Sequence, residues 1–297
     1  MNILVSGSSG LVGSALIPEL SSDGHSVIRL LRKTPESSRD VYWDPEGGAL
    51  DKAHVEGLDA VIHLAGDSIA EGRWNAAKKI SIRDSRVKPT RLLAETLAGL
   101  SKPPKVFIVA SASGYYGDRG DEVLGEQSEP GAMFLSRICR EWEEATNPAS
   151  EAGIRVVNLR FGVILSTKGG GLAKMLLPFK MGVGGRIGSG NQYWSWIAIE
   201  DVVGVINHAI RTDALQGPVN VSTPNPVSNK EFTKTLGKIL KRPALFPMPT
   251  FAARAAFGEM ADELLLCSFR MEPAKLIATG YVFLFPDLES ALRHLLG

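Results

Sequence analysis

The sequence has few cysteines, almost no net charge and no long apolar run. Its two cysteines, Cys139 and Cys267, lie far apart, so we expect no disulfide and a reducing, cytoplasmic location. The 33 basic and 32 acidic residues nearly cancel, so no overall field would attract nucleic acid or an anionic membrane. No stretch approaches the ~20 apolar residues of a transmembrane helix, and an apolar strand starting at residue 2 argues against a signal peptide. We therefore expect a small-molecule ligand and neither a nucleic-acid nor a membrane partner.

Missing motifs exclude several classes of enzyme. The five histidines show no paired spacing typical of metal ligands, and we expect no metal site. The chain contains neither a Gly-x-Ser-x-Gly elbow for a hydrolase nucleophile nor the Gly-Lys-[Ser/Thr] of a nucleotidase phosphate loop. With 44% hydrophobic residues, the 297-residue chain can still bury a large core, as one domain or two closely joined ones.

Three glycines near the start of the chain are the most informative residues present. An apolar segment over 2–6 runs directly into Gly7, Gly10 and Gly13, after which apolar residues recur at helical spacing. In such a strand–turn–helix unit the first glycine permits the tight turn. The second lets a phosphate approach the backbone, and the third lets the helix lie against the strand. Because unpaired N–H groups and the helix dipole favour a pyrophosphate at the helix N-terminus, the pattern predicts a dinucleotide site.

The end of the second predicted strand indicates which dinucleotide binds. A site for NAD places an acidic residue there for the ribose hydroxyls, whereas the 2′-phosphate of NADP requires cations. The strand over 26–32 ends in Arg32, which Lys33 follows, and the next carboxylate is Glu36. The sequence therefore favours NADP(H) over NAD(H). The alternative is that Arg32 and Lys33 form only a solvated turn.

Apolar strands and helical segments alternate along the chain, which predicts an α/β fold with a Rossmann-like, doubly wound parallel sheet. One strand ends in Leu64, Ala65 and Gly66, which would let the backbone approach a cofactor at the carboxyl edge of the sheet. His63, within that strand, is predicted to be a hydrogen-bonded core histidine rather than a base. The predicted strands are 2–6, 26–32, 59–66, 105–112, 154–161, 218–222 and 245–248. The predicted helices are 11–23, 74–100, 133–152, 172–179, 200–211, 229–240, 250–257, 260–268, 273–278 and 287–296.

Several motifs, spread over nearly the whole chain, belong together. They are Gly-x-x-Gly-x-x-Gly at 7–13, His-Leu-Ala-Gly at 63–66, Arg-Trp at 73–74, Ser-Arg at 85–86, Ser-Ala-Ser-Gly-Tyr-Tyr-Gly at 111–117, and the segment 176–201. This set resembles the extended short-chain dehydrogenase/reductase superfamily. Within it, the set is similar to an atypical, nucleoside-diphosphate-sugar-epimerase-like branch of uncharacterised function. The resemblance implies a cofactor domain over 1–165, elements near 193–222 that return to it, and a smaller mixed α/β substrate region over 166–297.

The resemblance also identifies what the chain lacks. Oxidoreductases and epimerases of this superfamily use a tyrosine and, four residues later on a helix, a lysine that lowers the tyrosine pKa. None of the five tyrosines has a lysine at that spacing. The helix that should carry the pair has Phe134 and Ile138 instead, and neither side chain can transfer a proton.

Four hydroxyl side chains are the candidates to replace this pair, namely Ser111, Ser113, Tyr115 and Tyr116. The superfamily's serine or threonine position falls on Ala112, and either flanking serine could polarise a substrate carbonyl. Either tyrosine could act as an acid if a cation, Arg137 or Arg140, lowered its pKa from near 10. The alternative is that both tyrosines only pack the loop and donate hydrogen bonds.

The expected cofactor site comprises Gly7, Ser9, Gly10, Leu11, Val12, Gly13, Arg32, Lys33, Leu64, Ala65, Gly66, Ser111 and Arg160. For the substrate, Arg186 in the glycine-rich segment 182–190 could hold a phosphate or carboxylate, or could lie in a flexible turn. Trp74 and Trp196 could line a pocket for a ring-shaped substrate, or could pack in the core.

Two functions from different classes remain open. The first is an NADP(H)-dependent reductase- or epimerase-like enzyme, an oxidoreductase or isomerase, that acts on a nucleotide sugar or carbonyl compound. The second is a non-catalytic NADP(H)-binding or sensing protein whose loaded form recruits a partner. The glycine-rich segment 169–190 favours the first, and the oligomeric state stays open.

Overall fold

The computed structural model describes residues 1–35 and 37–297. This part of the chain contains thirteen strands and ten α-helices. Glu36, the first carboxylate after the second strand, lies outside the described residues. The strands are β1 (Asn2–Ser6), β2 (Ser26–Leu31), β3 (Asp40–Tyr42), β4 (Ala60–His63), β5 (Val106–Ala112), β6 (Val123–Leu124), β7 (Arg155–Phe161), β8 (Val163–Leu165), β9 (Tyr193–Trp194), β10 (Trp196–Ala198), β11 (Gly217–Val221), β12 (Val227–Ser228) and β13 (Arg270–Met271). The α-helices are α1 (Leu11–Ser22), α2 (Ala76–Ala98), α3 (Phe134–Glu144), α4 (Asn147–Glu151), α5 (Gly170–Lys180), α6 (Ile199–Arg211), α7 (Asn229–Leu240), α8 (Thr250–Phe257), α9 (Ala274–Ala278) and α10 (Leu288–Leu296).

Seven of the strands form one parallel sheet in the order β11-β7-β5-β4-β1-β2-β3. Side chains of β1 alternate between its two faces, as a pleated strand requires. Ile3 and Val5 pack in a cluster with residues of α1 and α6, whereas Leu4 packs in a second cluster with residues of α2, α3 and α4. Because helices cover both faces, the fold is the predicted Rossmann-like α/β sheet.

A third apolar cluster lies outside the sheet. It joins α5, α7 and α10 around the buried side chains of Phe179, Phe232 and Leu292. Three short strand pairs lie outside the large sheet, namely β8 with β10, β9 with β12, and β6 with β13. The first two pairs contribute buried side chains to this cluster. The last strand of the large sheet, β11, comes from the same half of the sequence and pairs with β7.

Three predicted elements differ from the structure. The helix expected over 260–268 is a π-helical turn, Ala261–Leu265. The helix expected over 133–152 is two helices, because Pro148 in the first turn of α4 has no N–H to continue an earlier helix. The strand expected over 245–248 is wrong, since Pro247 cannot donate to a ladder and the segment makes one bridge, between Met248 and Ile187.

Across the described residues, no helix is both long enough and apolar enough to cross a membrane.

Candidate functional site

The turn between β1 and α1 contains two glycines, Gly7 and Gly13, that no larger residue could replace without a shift of the backbone. Gly7 has a φ of +68°, and a Cβ added there would lie 2.6 Å from the carbonyl carbon of Leu64 and 2.8 Å from the amide nitrogen of Ala65. A Cβ added at Gly13 would collide with the carbonyl oxygen of Gly7. The turn is therefore pressed against the carboxyl end of β4, and α1 is pressed against the turn.

The N-terminus of α1 is left open by this arrangement. Gly10 is its N-cap residue and makes no side-chain capping bond, although its N–H donates to the Gly7 carbonyl at 3.0 Å. Ser9 is exposed, while Leu11 and Val12 pack against the first core cluster. Backbone N–H groups at such an end can bind an anion.

Two further elements border the turn. The Leu11 side chain lies against the start of α5, where a Cβ built on Gly169 or Gly170 would be 3.4 Å from its methyl carbons. On the other side, Arg32 follows β2 with 68% of its side chain exposed, and its Nη2 lies 3.9 Å from Oδ1 of Asp67. An exposed ion pair of this length is weak, so the Arg32 guanidinium can turn toward a ligand. Lys33 follows it and is also exposed.

The site predicted from the sequence does not include Asp67 or Arg86, although Arg86 belongs to the Ser-Arg motif at 85–86. Asp67 follows Gly66, and its Oδ2 accepts a hydrogen bond of 3.0 Å from Ser81 of α2. The guanidinium of Arg86, also on α2, donates to the Asp67 carbonyl oxygen at 2.9 Å. A local motif does not reveal this contact, because it joins residues 19 positions apart in the chain.

Ser111 and Arg160, both predicted to contact the cofactor, share the carboxylate of Glu143, whose side chain is 12% exposed. The Ser111 hydroxyl donates to Oε1 of Glu143 at 2.7 Å, and Arg160 donates to both oxygens of Glu143 at 2.8 Å. Burial alone would lower the pKa of Arg160, but the hydrogen bonds and charge of Glu143 outweigh it and raise the pKa. Only 2% of each residue is exposed, and the polar groups of Ser111 and Arg160 are bound to Glu143 in this arrangement.

Tyr116 completes the same network. Its ring is fully buried, its hydroxyl donates to Oδ1 of Asn220 at 2.6 Å, and it accepts from Nη1 of Arg160 at 2.9 Å. Burial raises the pKa of Tyr116 to about 12, which makes the phenol a poor proton donor or acceptor near neutral pH. The guanidinium that contacts both tyrosine rings is that of Arg160, whereas the sequence suggested Arg137 or Arg140.

Ser113 and Tyr115 lie in the 3₁₀ turn Ser113–Tyr116 that follows β5. Ser113 is buried, with 9% exposed, whereas Tyr115 is half-buried. The Tyr115 ring covers Arg160, whose Cζ lies 3.4 Å from the ring centroid. Of the four candidate hydroxyl residues, Tyr115 is thus the most accessible.

The positions that match the superfamily's tyrosine and lysine are occupied by an apolar cluster. The Phe134 ring meets the edge of Trp74 at a centroid distance of 5.5 Å, and Ile138 is 3% exposed beside Ile82. The N–H of Phe134 donates to Oε1 of Glu263 at 2.9 Å, and the next N–H donates to Oε2 at 3.0 Å. A carboxylate from the C-terminal region therefore caps α3 at the point where the usual pair would begin.

His63 is a core residue, as predicted. It is fully buried, its Nδ1 lies 2.6 Å from the Ser6 hydroxyl, and its ring packs edge-on against Trp43. Burial lowers the pKa of His63 to about 3, so the imidazole is neutral at physiological pH.

The three predicted substrate residues lie in separate surroundings. Trp74 is half-buried and donates to the Ile69 carbonyl at 2.8 Å, next to Phe134. Trp196 is fully buried in the third core cluster, which agrees with the alternative prediction that it packs in the core. Arg186 is exposed and donates to the Ser189 carbonyl at 2.9 Å.

The glycine-rich segment that contains Arg186 is packed against the chain near residue 246. A Cβ on Gly185 would collide with the backbone of Phe246, and one on Gly184 would lie 2.6 Å from the ring of Phe179. Close packing therefore accounts for these two glycines.

Comparison with known proteins agrees with this geometry. The model of the NAD dependent epimerase/dehydratase family matches residues 3–222, and a domain of unknown function, DUF1731, matches residues 248–295. The epimerase family protein Mb2239 of Mycobacterium bovis is 44% identical over 292 residues, which are 98% of this chain and 96% of that protein. The human epimerase family protein SDR39U1 is 35% identical over 300 residues, with 100% of both chains covered.

Two solved structures are similar as well. That of human SDR39U1 (isoform2) with NADPH superposes with a TM-score of 0.91 at 34% identity, over 99% of both chains. That of a nucleoside-diphosphate sugar epimerase from Corynebacterium glutamicum gives a TM-score of 0.83 at 40% identity, over all of this chain and 58% of that one. With its glycine turn, its parallel sheet and these relatives, the chain belongs to the NAD-dependent epimerase/dehydratase family.

Proposed function

We propose that this chain binds NADP(H) at the turn between β1 and α1, and that it does so without the proton-transfer pair of the superfamily. The observation that carries the proposal is the open N-terminus of α1, held by Gly7 against Leu64 and Ala65. Arg32, exposed at the end of β2, supplies a cation for the 2′-phosphate. The presence of NADPH in the structure of human SDR39U1 supports the choice of cofactor.

The surroundings of the four hydroxyl residues favour a binding protein over an enzyme. Ser111 and Tyr116 already use their hydroxyls in hydrogen bonds to Glu143 and Asn220. Phe134 and Ile138 leave nothing to exchange a proton at the two matching positions. We propose that the loaded form is the functional state and that a partner recognises it.

Calorimetric titration tests both parts of the binding proposal. The wild-type protein should bind NADPH more tightly than NADH. Arg32→Ala should weaken NADPH binding about tenfold or more, because a guanidinium–phosphate bond typically contributes ~1.5–3 kcal/mol, and should change NADH binding far less. The control is Arg293→Ala on α10, whose side chain is 60% exposed and pairs with Glu289. Absence of binding to either coenzyme would end the proposal, and equal losses in Arg32→Ala would remove the 2′-phosphate assignment.

A second candidate function is reduction or epimerisation of a carbonyl compound or nucleotide sugar. Tyr115 favours it, because this half-buried phenol lies directly against the Arg160 cation. In this case a panel of carbonyl and sugar-nucleotide compounds should change the nicotinamide absorbance of NADPH bound to the protein. Tyr115→Phe and Ser113→Ala should abolish the change while leaving NADPH affinity intact. If no compound of the panel is converted, the enzyme candidate is rejected and the binding function stays as the proposal.

A further inference from the structure

Two segments in the C-terminal half of the sequence contain basic residues and no acidic ones. Between Glu151 and Glu200 the chain has no aspartate or glutamate, and the same is true between Glu231 and Glu259. The net charge of +1 for the whole chain conceals this separation, because acidic residues elsewhere balance it. A local basic region can attract an anionic surface even when the molecule as a whole is nearly neutral.

The structure brings these two segments together at the end of α5. The Nε of Arg242 donates to the Lys180 carbonyl at 3.0 Å. The N–H of Phe246 donates to the Gly184 carbonyl at 3.3 Å. Residues 177–184 and 241–246 are therefore neighbours, and we call the surface that they form the α5 face.

Large apolar side chains are exposed on the α5 face. Their exposed fractions lie between 51% for Val183 and 77% for Leu245, and the set is Leu177, Met181, Val183, Leu245 and Phe246. Met181 follows Leu177 by four residues, so the two lie on one side of the helix end. Single exposed apolar side chains are normal, but a group on adjacent segments is typical of an interaction site.

Cations without ion pairs lie among these apolar side chains. Lys180, Lys241 and Arg242 are exposed, and within residues 1–35 and 37–297 none of them forms an ion pair with a carboxylate. Lys238 shows the contrast, since its Nζ lies 2.9 Å from Oε2 of Glu289. Because no neighbouring acid neutralises the three cations of the α5 face, their charge is available to an anion outside the molecule.

This combination favours a lipid surface over a protein partner. Lysine is depleted in protein–protein interfaces, whereas leucine and phenylalanine beside lysine and arginine are typical of surfaces that bind at the headgroups of a membrane. The apolar side chains can enter the boundary between headgroups and acyl chains while the cations stay at the level of the phosphates. A second copy of the chain would present the same positive charge, which opposes a symmetric dimer through this face.

We propose that the α5 face docks on the surface of an anionic membrane. This docking goes beyond the cofactor proposal and does not depend on it. The expectation of no membrane partner takes only the total charge of the chain into account, and binding of this kind requires no transmembrane helix.

Sedimentation of the full-length chain with sucrose-loaded vesicles tests the proposal. One set of vesicles is phosphatidylcholine alone, and the other contains phosphatidylcholine and phosphatidylglycerol in equal amounts. The wild type should bind the anionic vesicles at least about tenfold more tightly, because each cation near an anionic surface contributes roughly fivefold. High salt should remove most of this difference, since it screens the attraction.

Two double variants separate the charged and the apolar contributions. Lys180→Gln/Lys241→Gln should weaken binding to the anionic vesicles about tenfold or more. Leu245→Ser/Phe246→Ser keeps every cation and should also weaken binding about tenfold or more, since insertion of the apolar side chains contributes to the affinity.

The matched controls carry the same substitutions at other exposed positions. They are Lys102→Gln/Lys105→Gln, in the segment before β5, and Val282→Ser/Leu284→Ser, before α10. Both should bind the vesicles as the wild type does, and thermal melts show whether each variant is folded.

Three results would overturn the proposal. The first is a wild type that binds neither set of vesicles, and the second is a loss of the same size in the controls. The third is unchanged binding by either folded double variant of the α5 face. Sedimentation velocity without vesicles tests the other occupant, and a dimer that Leu245→Ser/Phe246→Ser dissociates would assign the face to a second copy of the chain instead.

Discussion

Substitution of Gly7 by alanine tests the geometry of the cofactor turn. The first cost is conformational, because a φ of +68° lies in the left-handed region, where an L-residue loses about 1–2 kcal/mol. The second is steric. The new Cβ would lie 2.6 and 2.7 Å from the Leu64 carbonyl carbon and oxygen and 2.8 Å from the Ala65 nitrogen. These are backbone atoms at the end of a central strand, so no side-chain rotation can relieve the contact.

Overpacking of this kind typically costs about 1–3 kcal/mol. The two effects together predict that Gly7→Ala lowers the free energy of unfolding by roughly 2–5 kcal/mol. Gly24→Ala separates them, since Gly24 has a similar φ of +78° but no heavy atom within 4 Å of the added Cβ. That variant should show the conformational cost alone, which leaves a difference between the two of about 1–3 kcal/mol.

Urea unfolding of both variants measures this difference, and an NADPH titration reports its effect on the site. We expect Gly7→Ala to lose cofactor affinity as well, because relief of the contact must move the turn away from β4. Gly24→Ala, which alters the far end of α1, should bind NADPH as the wild type does. Equal destabilisation of the two variants would refute the reasoning, since it would mean that the turn does not press on Leu64 and Ala65.

Two further predictions concern buried polar groups. Tyr116→Phe leaves the Asn220 oxygen and one Arg160 N–H without their shared partner, so stability should fall by about 1–3 kcal/mol while NADPH affinity changes less than about twofold. Denaturation and titration check this, and lost affinity at unchanged stability would contradict it. For His63, the folded pKa of about 3 lies below the ordinary 6.5, so protonation favours the unfolded chain. The stabilisation that comes from keeping His63 neutral is therefore complete above about pH 6.5 and decreases as the pH falls. We expect the free energy of unfolding to decrease by about 2 kcal/mol between pH 7 and pH 5 for this reason. His63→Gln should remove that part of the pH dependence of urea unfolding, and an unchanged dependence would show that another group causes it.

The sequence predicts the cofactor turn well because its determinants are local. The strand, the three glycines and the helix occupy residues 2–22, and Gly13 is held against the Gly7 carbonyl within the same turn. The contact of Gly7 with Leu64 and Ala65, by contrast, joins residues that are distant in sequence. The sheet is predictable because buried strands and helices can be recognised from apolar periodicity within short windows. The strand expected over 245–248 shows the limit, because an apolar segment with prolines looks similar whether or not it joins a sheet.

The buried network could not be predicted in this way. Nothing near Tyr116 in sequence indicates that its hydroxyl meets Asn220, which is 104 positions away, or Arg160, which is 44 positions away. A tyrosine that exchanges protons and one that is tied to a guanidinium have the same local motif. The same holds for Glu263, which caps α3 from 129 positions away.

The loss of the tyrosine–lysine pair is accompanied by a change in its whole neighbourhood. Ile138 is 3% exposed and packs beside Ile82, so a lysine there would place an ammonium in an apolar cluster at a cost of several kcal/mol. Phe134 packs on Trp74, and Glu263 fixes the backbone beneath it. The cluster is thus complementary to the residues that now occupy it, and two substitutions would not restore the superfamily's chemistry. The cofactor turn, by contrast, keeps each steric feature that a dinucleotide needs. The glycine turn thus keeps its close contacts with the carboxyl end of β4, whereas an apolar cluster occupies the positions of the superfamily's proton-transfer pair.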